Sequence, residues 1–144
     1  LIALAGAGYG ALCGLVYLKQ DQLLYFPSPV VPLDPGQLGL EFEAFEIPLE
    51  SSTVTGWLVR AADREAPWIV HCHGNGGNVA NNVGYLALFQ KIGCNGVIFD
   101  YRGYGRSQGV PTEAGLVEDV AAVRGYLAEQ QGADPARVVL FGES

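Results

Sequence analysis

The chain has 144 residues, with 8 Lys+Arg against 15 Asp+Glu, a formal net charge of −7, and 49% hydrophobic against 16% charged residues. This balance excludes a disordered chain, which would be poor in aliphatics and rich in charge. It also excludes nucleic acid as a partner, because so few cations, diluted by anions, form no basic stripe to neutralise phosphates. Methionine is absent, and the chain closes on Phe141-Gly142-Glu143-Ser144 directly after an apolar run, so the sequence reads as a piece cut at both ends. Cys13, Cys72 and Cys94 show neither a CxxC pair nor metal-ligand spacing and read as buried thiols.

The first element is an apolar run, Leu1–Leu18, without charge or proline. As a helix it would span about 27 Å, just short of a bilayer core of about 30 Å. Gly6, Gly10 and Gly14 fall on one face, the small-residue pattern that lets membrane helices approach closely, and Tyr17 and Lys19 suit the interface. The expectation is a single-pass anchor over residues 1–18 with the lipid bilayer as partner and helix–helix association through the three glycines; the side of the membrane stays open. Gly6-Ala7-Gly8-Tyr9-Gly10-Ala11 also fits the dinucleotide fingerprint G-x-G-x-x-A, but a proline-containing stretch stands where its second strand should be. A signal peptide is disfavoured, since the run is long for one and no A-x-A site follows before Lys19.

Residues 19–40 form a proline-rich connection, too broken for regular structure and too apolar for a free linker, expected to lie against the domain or the membrane surface. Glu41–Glu50 and Thr53–Ala61 alternate in polarity around Ser51-Ser52 and predict two antiparallel strands. Two strand–helix units follow. Trp68–Cys72 is a continuous apolar strand running into His73-Gly74-Asn75-Gly76-Gly77-Asn78, and Val79–Lys91 is helical, closed by Gly93. Gly96–Asp100 is a second buried strand, and Tyr101–Gly109 is a loop. Thr112–Gln131 is a longer helix with Leu116, Val120, Val123 and Leu127 as its apolar stripe; Glu113 and Asp119 read as its solvated face. After a turn at Asp134-Pro135, Val138–Phe141 is a third apolar strand. Apolar strands alternating with helices imply an α/β fold whose mainly parallel sheet is covered on both faces.

Ligands in such sheets bind beyond the carboxyl ends of the strands, where His73–Asn78, Asp100–Gly109 and Gly142-Glu143-Ser144 all fall. With HGNGGN, DYRGYGRS and FGES in this order, the chain resembles the amino-terminal half of an α/β-hydrolase. It is most similar to a membrane-anchored, serine aminopeptidase-type branch, which also carries a stretch like Asp21-Gln22-Leu23-Leu24-Tyr25-Phe26-Pro27. On this resemblance residues 41–144 are the incomplete amino-terminal half of the hydrolase domain, stopping at the nucleophile strand.

The resemblance implies Ser144 as nucleophile, on a strand-to-helix turn that Gly142 makes possible. It implies an oxyanion loop formed by His73, Gly74, Asn75 and Gly76, with the Asn75 N–H as one donor and His73 orienting the loop. Tyr101 and Tyr104 either line the acyl pocket or pack the loop. Chain order in this fold puts the triad acid and histidine after the nucleophile, so neither His71 nor His73 is the base, and Asp100 is a buried carboxylate satisfied by loop N–H groups, Arg102 or Arg106. His71 and His73 lack a third ligand for a metal, and no metal or organic cofactor is implied. The expected activity is cleavage of an ester, thioester or amide in a small-molecule or acylated substrate through an acyl-enzyme. The alternative is a non-catalytic, hydrolase-like membrane-bound binding or scaffold module. By itself the piece is expected to be inactive, with Val138–Phe141 an exposed apolar edge.

Overall fold

The structure, a computed structural model, describes residues 2–143. Helix α1 (Ile2–Leu24) opens the chain and continues through Lys19-Gln20-Asp21-Gln22, because no proline interrupts it before Pro27. Residues 3–24 are exposed all round. Among the described residues no helix is long and apolar enough to cross a membrane. The transmembrane helix expected over 1–18 is therefore not found as such; Leu1 lies outside the described residues. Gly6–Ala11 lies inside α1 with no strand before it, which removes the dinucleotide-turn reading. Cys13 is exposed on this helix, so the expectation of three buried thiols fails there, and Cys72 and Cys94 are half-buried.

The connection is more ordered than its prolines suggest. Phe26–Pro27 forms a short strand, β1, and a 3-10 turn over Pro35–Leu38 is capped by Asp34, whose side chain accepts from the Gly36 N–H. A proline can occupy the first position of such a turn because its missing N–H would be unpaired there anyway. The main sheet then follows as β2 (Glu43–Pro48), β3 (Thr53–Val59), β4 (Trp68–Cys72), β6 (Asn95–Asp100) and β7 (Val138–Gly142), while Gly76–Gly77 is a two-residue strand, β5, pairing with β1. The five strands are ordered β2-β3-β6-β4-β7. β2, β3 and β6 pair antiparallel, and β6, β4 and β7 run parallel.

Two crossovers build the parallel part. Helix α2 (Val79–Lys91) joins β4 to β6 on one side of β4, and α3 (Glu113–Gln131) joins β6 to β7 on the other. Their apolar faces cover opposite faces of the sheet, as strand alternation dictates. Trp57, Val59 and Ile98 pack with Val83 and Leu86 of α2, whereas Val54, Leu58, Val97 and Phe99 pack with Val123 and Leu127 of α3. Asn78 caps α2 by accepting from the Ala80 N–H, and Thr112 caps α3 by accepting from the Gly115 N–H. At the sheet edge Val139, Leu140 and Phe141 of β7 are exposed.

One helix assignment is corrected by the packing. Asp119 is fully buried, because Arg102 reaches it from the β6–α3 loop; Glu113 is exposed as expected.

Candidate active site

The parallel strands end together. The β4–β7 register sets Cys72 opposite Gly142, and the Glu143 N–H donates to the Cys72 carbonyl at 3.1 Å. The chain after β7 therefore leaves the sheet beside the His73–Asn78 turn. Ser144 lies outside the described residues. β6 ends on Asp100 between β3 and β4, bringing the Tyr101–Gly109 loop to the same end of the sheet.

His73 is buried at the foot of the first turn, and its Nδ1 lies 2.7 Å from the Gly74 carbonyl. A carbonyl only accepts, so Nδ1 carries the proton. Tyr101 and Tyr104 meet the imidazole edge-on, with centroids at 4.9 and 5.2 Å. Both tyrosines are buried. Tyr104 does more, since its hydroxyl lies 3.0 Å from the Asn75 carbonyl and 3.1 Å from the Asn75 side-chain oxygen. Asn75 and Gly76 are exposed at the tip, with Gly74 half-buried behind them. Among the described residues no acceptor takes the Asn75 N–H.

Asp100 sits beneath this turn. Its Oδ1 accepts from the Val79 N–H at the start of α2 at 2.8 Å and lies 3.7 Å from His73 Nε2. Burial raises its pKa to about 6 against the opposing pull of the Val79 and Arg106 backbone N–H groups and of the Arg106 charge. Gly105, at φ +50°, lies so close to Asp100 that any Cβ there would overlap the carboxylate. The Arg102 guanidinium belongs elsewhere, on Asp119 at 2.7 Å and Glu118 at 2.9 Å, so of the expected partners of Asp100 it takes no part.

His71, also fully buried, stacks on Tyr85 of α2 with centroids 4.3 Å apart, and its Nε2 lies 3.3 Å from Glu143 Oε2. Burial holds its pKa down, against the raising effect of Glu143. The sequence reading placed Gly142-Glu143-Ser144 at this end of the sheet but gave Glu143 no partner, and it did not assign Tyr85 here. A signal existed for a Glu143 contact: as the residue before Ser144 it had to leave β7 beside β4. Tyr85 carried none, because it is one aromatic on a helix whose opposite face is the obvious apolar one. Among the described residues no cluster of His, Cys, Asp or Glu could hold a metal ion.

No family model matches the chain. It is 30% identical over 146 residues to an uncharacterised protein of Mycobacterium tuberculosis, covering 100% of this chain and 51% of that protein. It is 30% identical over 151 residues to the alpha/beta hydrolase domain-containing protein WAV2 of Arabidopsis thaliana, covering 95% of this chain and 48% of that one. The chain thus spans about half the length of the curated relatives it matches. Among solved structures, an esterase of Pyrococcus furiosus superposes with a TM-score of 0.70 at 24% identity, over 84% of this chain and 47% of the esterase. An alpha-beta hydrolase of Vibrio vulnificus gives 0.61 at 26% identity, over 69% and 34%. The fold is that of the α/β-hydrolases, and the relatives support that family for the chain.

Proposed function

We propose that this chain supplies the nucleophile strand and one half of the oxyanion site of a serine hydrolase acting on an ester, thioester or amide. The observation that carries this is the meeting of two strand ends: the Gly142-Glu143 exit from β7 lies hydrogen-bonded against Cys72 of β4, immediately before the His73-Gly74-Asn75 turn. The likeness to an esterase fold agrees with it. In this reading Ser144 Oγ adds to the acyl carbonyl and gives its proton to a base that chain order puts after the nucleophile. The Asn75 N–H, which no acceptor takes among the described residues, donates to the oxyanion that forms. Collapse expels the leaving group and leaves the acyl group on Ser144, which water then releases. His71 and His73 are not candidates for the base, since each is buried and engaged, with Glu143 and Gly74 respectively.

A fluorophosphonate probe applied to the full-length protein tests this. Wild type is expected to label at Ser144, and Ser144→Ala to lose both labelling and ester hydrolysis. Hydrolysis that survives Ser144→Ala removes the nucleophile assignment. Absence of labelling and of turnover in the wild type favours a non-catalytic binding or scaffold module.

For localisation we propose attachment to a membrane through α1, with copies meeting along Gly6, Gly10 and Gly14. What supports it is a helix whose large apolar side chains, among them Leu12, Leu15 and Leu18, are exposed on every side. Full-length protein is expected in the membrane fraction after alkaline extraction; recovery in the supernatant would remove the proposal.

A further inference from the structure

The stretch from Leu24 to Val30 lies across the turn that follows β4, bound to it along its length. β1 and β5 pair in parallel, Phe26 opposite Gly76 and Pro27 opposite Gly77. The Phe26 N–H donates to the Asn75 carbonyl at 3.4 Å, the Ser28 N–H to the Gly77 carbonyl at 3.1 Å, and the Asn75 side-chain amide to the Leu24 carbonyl. The same stretch reaches the other two elements of the site. The Asn78 side-chain amide, at the start of α2, donates to the Ser28 and Val30 carbonyls at 2.9 and 2.7 Å, and the Gly105 N–H donates to the Ser28 carbonyl at 3.1 Å. The Tyr104 hydroxyl closes on the Asn75 oxygens, next to the Phe26 backbone of this stretch.

We propose that Leu24–Val30 is a positioning strap for the oxyanion loop, and that Tyr104 is the positioning residue that locks Asn75 against it. The proposal rests on the serine-hydrolase reading for its catalytic consequence. A run of Gly74, Asn75, Gly76 and Gly77 has little intrinsic preference for one backbone path, since glycine populates both signs of φ. Something outside the loop must therefore choose its conformation. Two donors on the Asn75 carbonyl, the Phe26 N–H and the Tyr104 hydroxyl, together with the bond from its side-chain amide to the Leu24 carbonyl, restrict the φ and ψ of that residue. The direction of its N–H is fixed with them, and among the described residues no acceptor takes that N–H. A donor contributes to transition-state stabilisation only when it is aimed before the charge develops. The single hydroxyl proton of Tyr104 serves one Asn75 oxygen at a time, so Tyr104→Phe removes this restraint without creating a void. Phe26→Pro removes the N–H donated from the strap.

The test uses full-length protein, Tyr104→Phe and Phe26→Pro, with a short-chain p-nitrophenyl ester as substrate. Thermal unfolding and hydrogen exchange of the peptide covering residues 74–78 are read in parallel. Each variant is expected to lower kcat about tenfold with KM within about twofold of wild type, less than the roughly 10²–10³-fold loss that follows removal of a donor outright. Exchange in residues 74–78 should rise while the unfolding midpoint stays near that of wild type. An unchanged kcat in both variants, or a loss of kcat that only follows loss of the folded state, overturns the proposal. Absence of turnover and of phosphonate labelling in the wild type overturns the hydrolase reading instead. The exchange measurement then still decides whether the strap orders the loop, and unchanged exchange overturns that too.

Discussion

Asp119→Ala should be among the most damaging single substitutions in the chain, although it removes one polar side chain from a helix. The Asp119 carboxylate accepts from the Arg102 backbone N–H at 2.8 Å, from Nε at 3.0 Å and from Nη2 at 2.7 Å. Truncation leaves a guanidinium that is only 8% exposed with Glu118, itself 66% exposed, as its one remaining partner. Breaking a buried pair from one side costs about 3–5 kcal/mol, and an orphaned buried N–H about 1–3 kcal/mol. The Glu118 contact lies at the solvent boundary and offsets little of this. A net loss of about 4 kcal/mol is expected. Equilibrium urea unfolding of the full-length protein, followed by far-ultraviolet circular dichroism, would show it as a lower midpoint at unchanged slope. With a slope of about 2 kcal/mol/M the midpoint falls by about 2 M. The paired replacement Arg102→Met with Asp119→Leu should recover most of the loss, because it removes both charges together. A loss below about 1 kcal/mol for Asp119→Ala, or a double variant no better than the single one, would refute the reasoning.

Two further substitutions test other parts of the site. The folded-state pKa of Asp100, about 6, lies above its ordinary value of 3.8, so between these values the folded protein holds a proton that the unfolded chain has released. Its contribution to stability is greatest below about pH 4 and is lost as pH rises through about 6, a change of about 3 kcal/mol at most. Unfolding free energies of wild type and Asp100→Asn should therefore diverge between these pH values, and parallel profiles would contradict the burial argument. Gly77→Ala places a Cβ at φ +82° against the Asn81 side chain, which closes the cap of α2, and should cost about 2 kcal/mol. Gly84→Ala, on the exposed side of α2 with nothing within 4 Å, is the matched control and should stabilise by about 0.5–1 kcal/mol; thermal unfolding distinguishes the two signs.

The regular elements of the sheet were legible because each is decided locally. Trp68–Cys72 and Val79–Lys91 occupy the ranges expected from apolar runs and a closing glycine, and Gly93 has the left-handed φ of +79° that ends a helix. β6 and β7 differ from expectation by one residue at an end. The candidate loops were legible for a different reason: a chain that alternates strand and helix must turn at the strand ends, and His73–Asn78 and Asp100–Gly109 hold the polar and glycine residues such turns need. What could not be read was any pairing between stretches far apart in sequence. The strap is the clearest case. Tyr25-Phe26-Pro27-Ser28 contains no periodicity, and its hydrogen bonds run through backbone groups that every sequence possesses.

Asp119 shows where period alone misleads. At about 100° per residue, the stripe of Leu116, Val120, Val123 and Leu127 is centred so that Asp119 stands about 70° to one side of it, on its border and not opposite to it. Gly115, one turn earlier on the same border, is buried as well, and a Cβ there would meet the Arg102 guanidinium at 2.6–2.7 Å. A glycine and an acid four residues apart on the flank of an apolar stripe thus make a slot the width of an arginine, with a charge at its end. Neither residue announces this alone: the glycine reads as a weak helix former and the acid as solvated surface. Arg102 makes sense of both, because the loop carrying it must be held down for Tyr104, two residues on, to reach Asn75. The burial of a charge inside α3 is therefore tied to the geometry of the turn that follows β4.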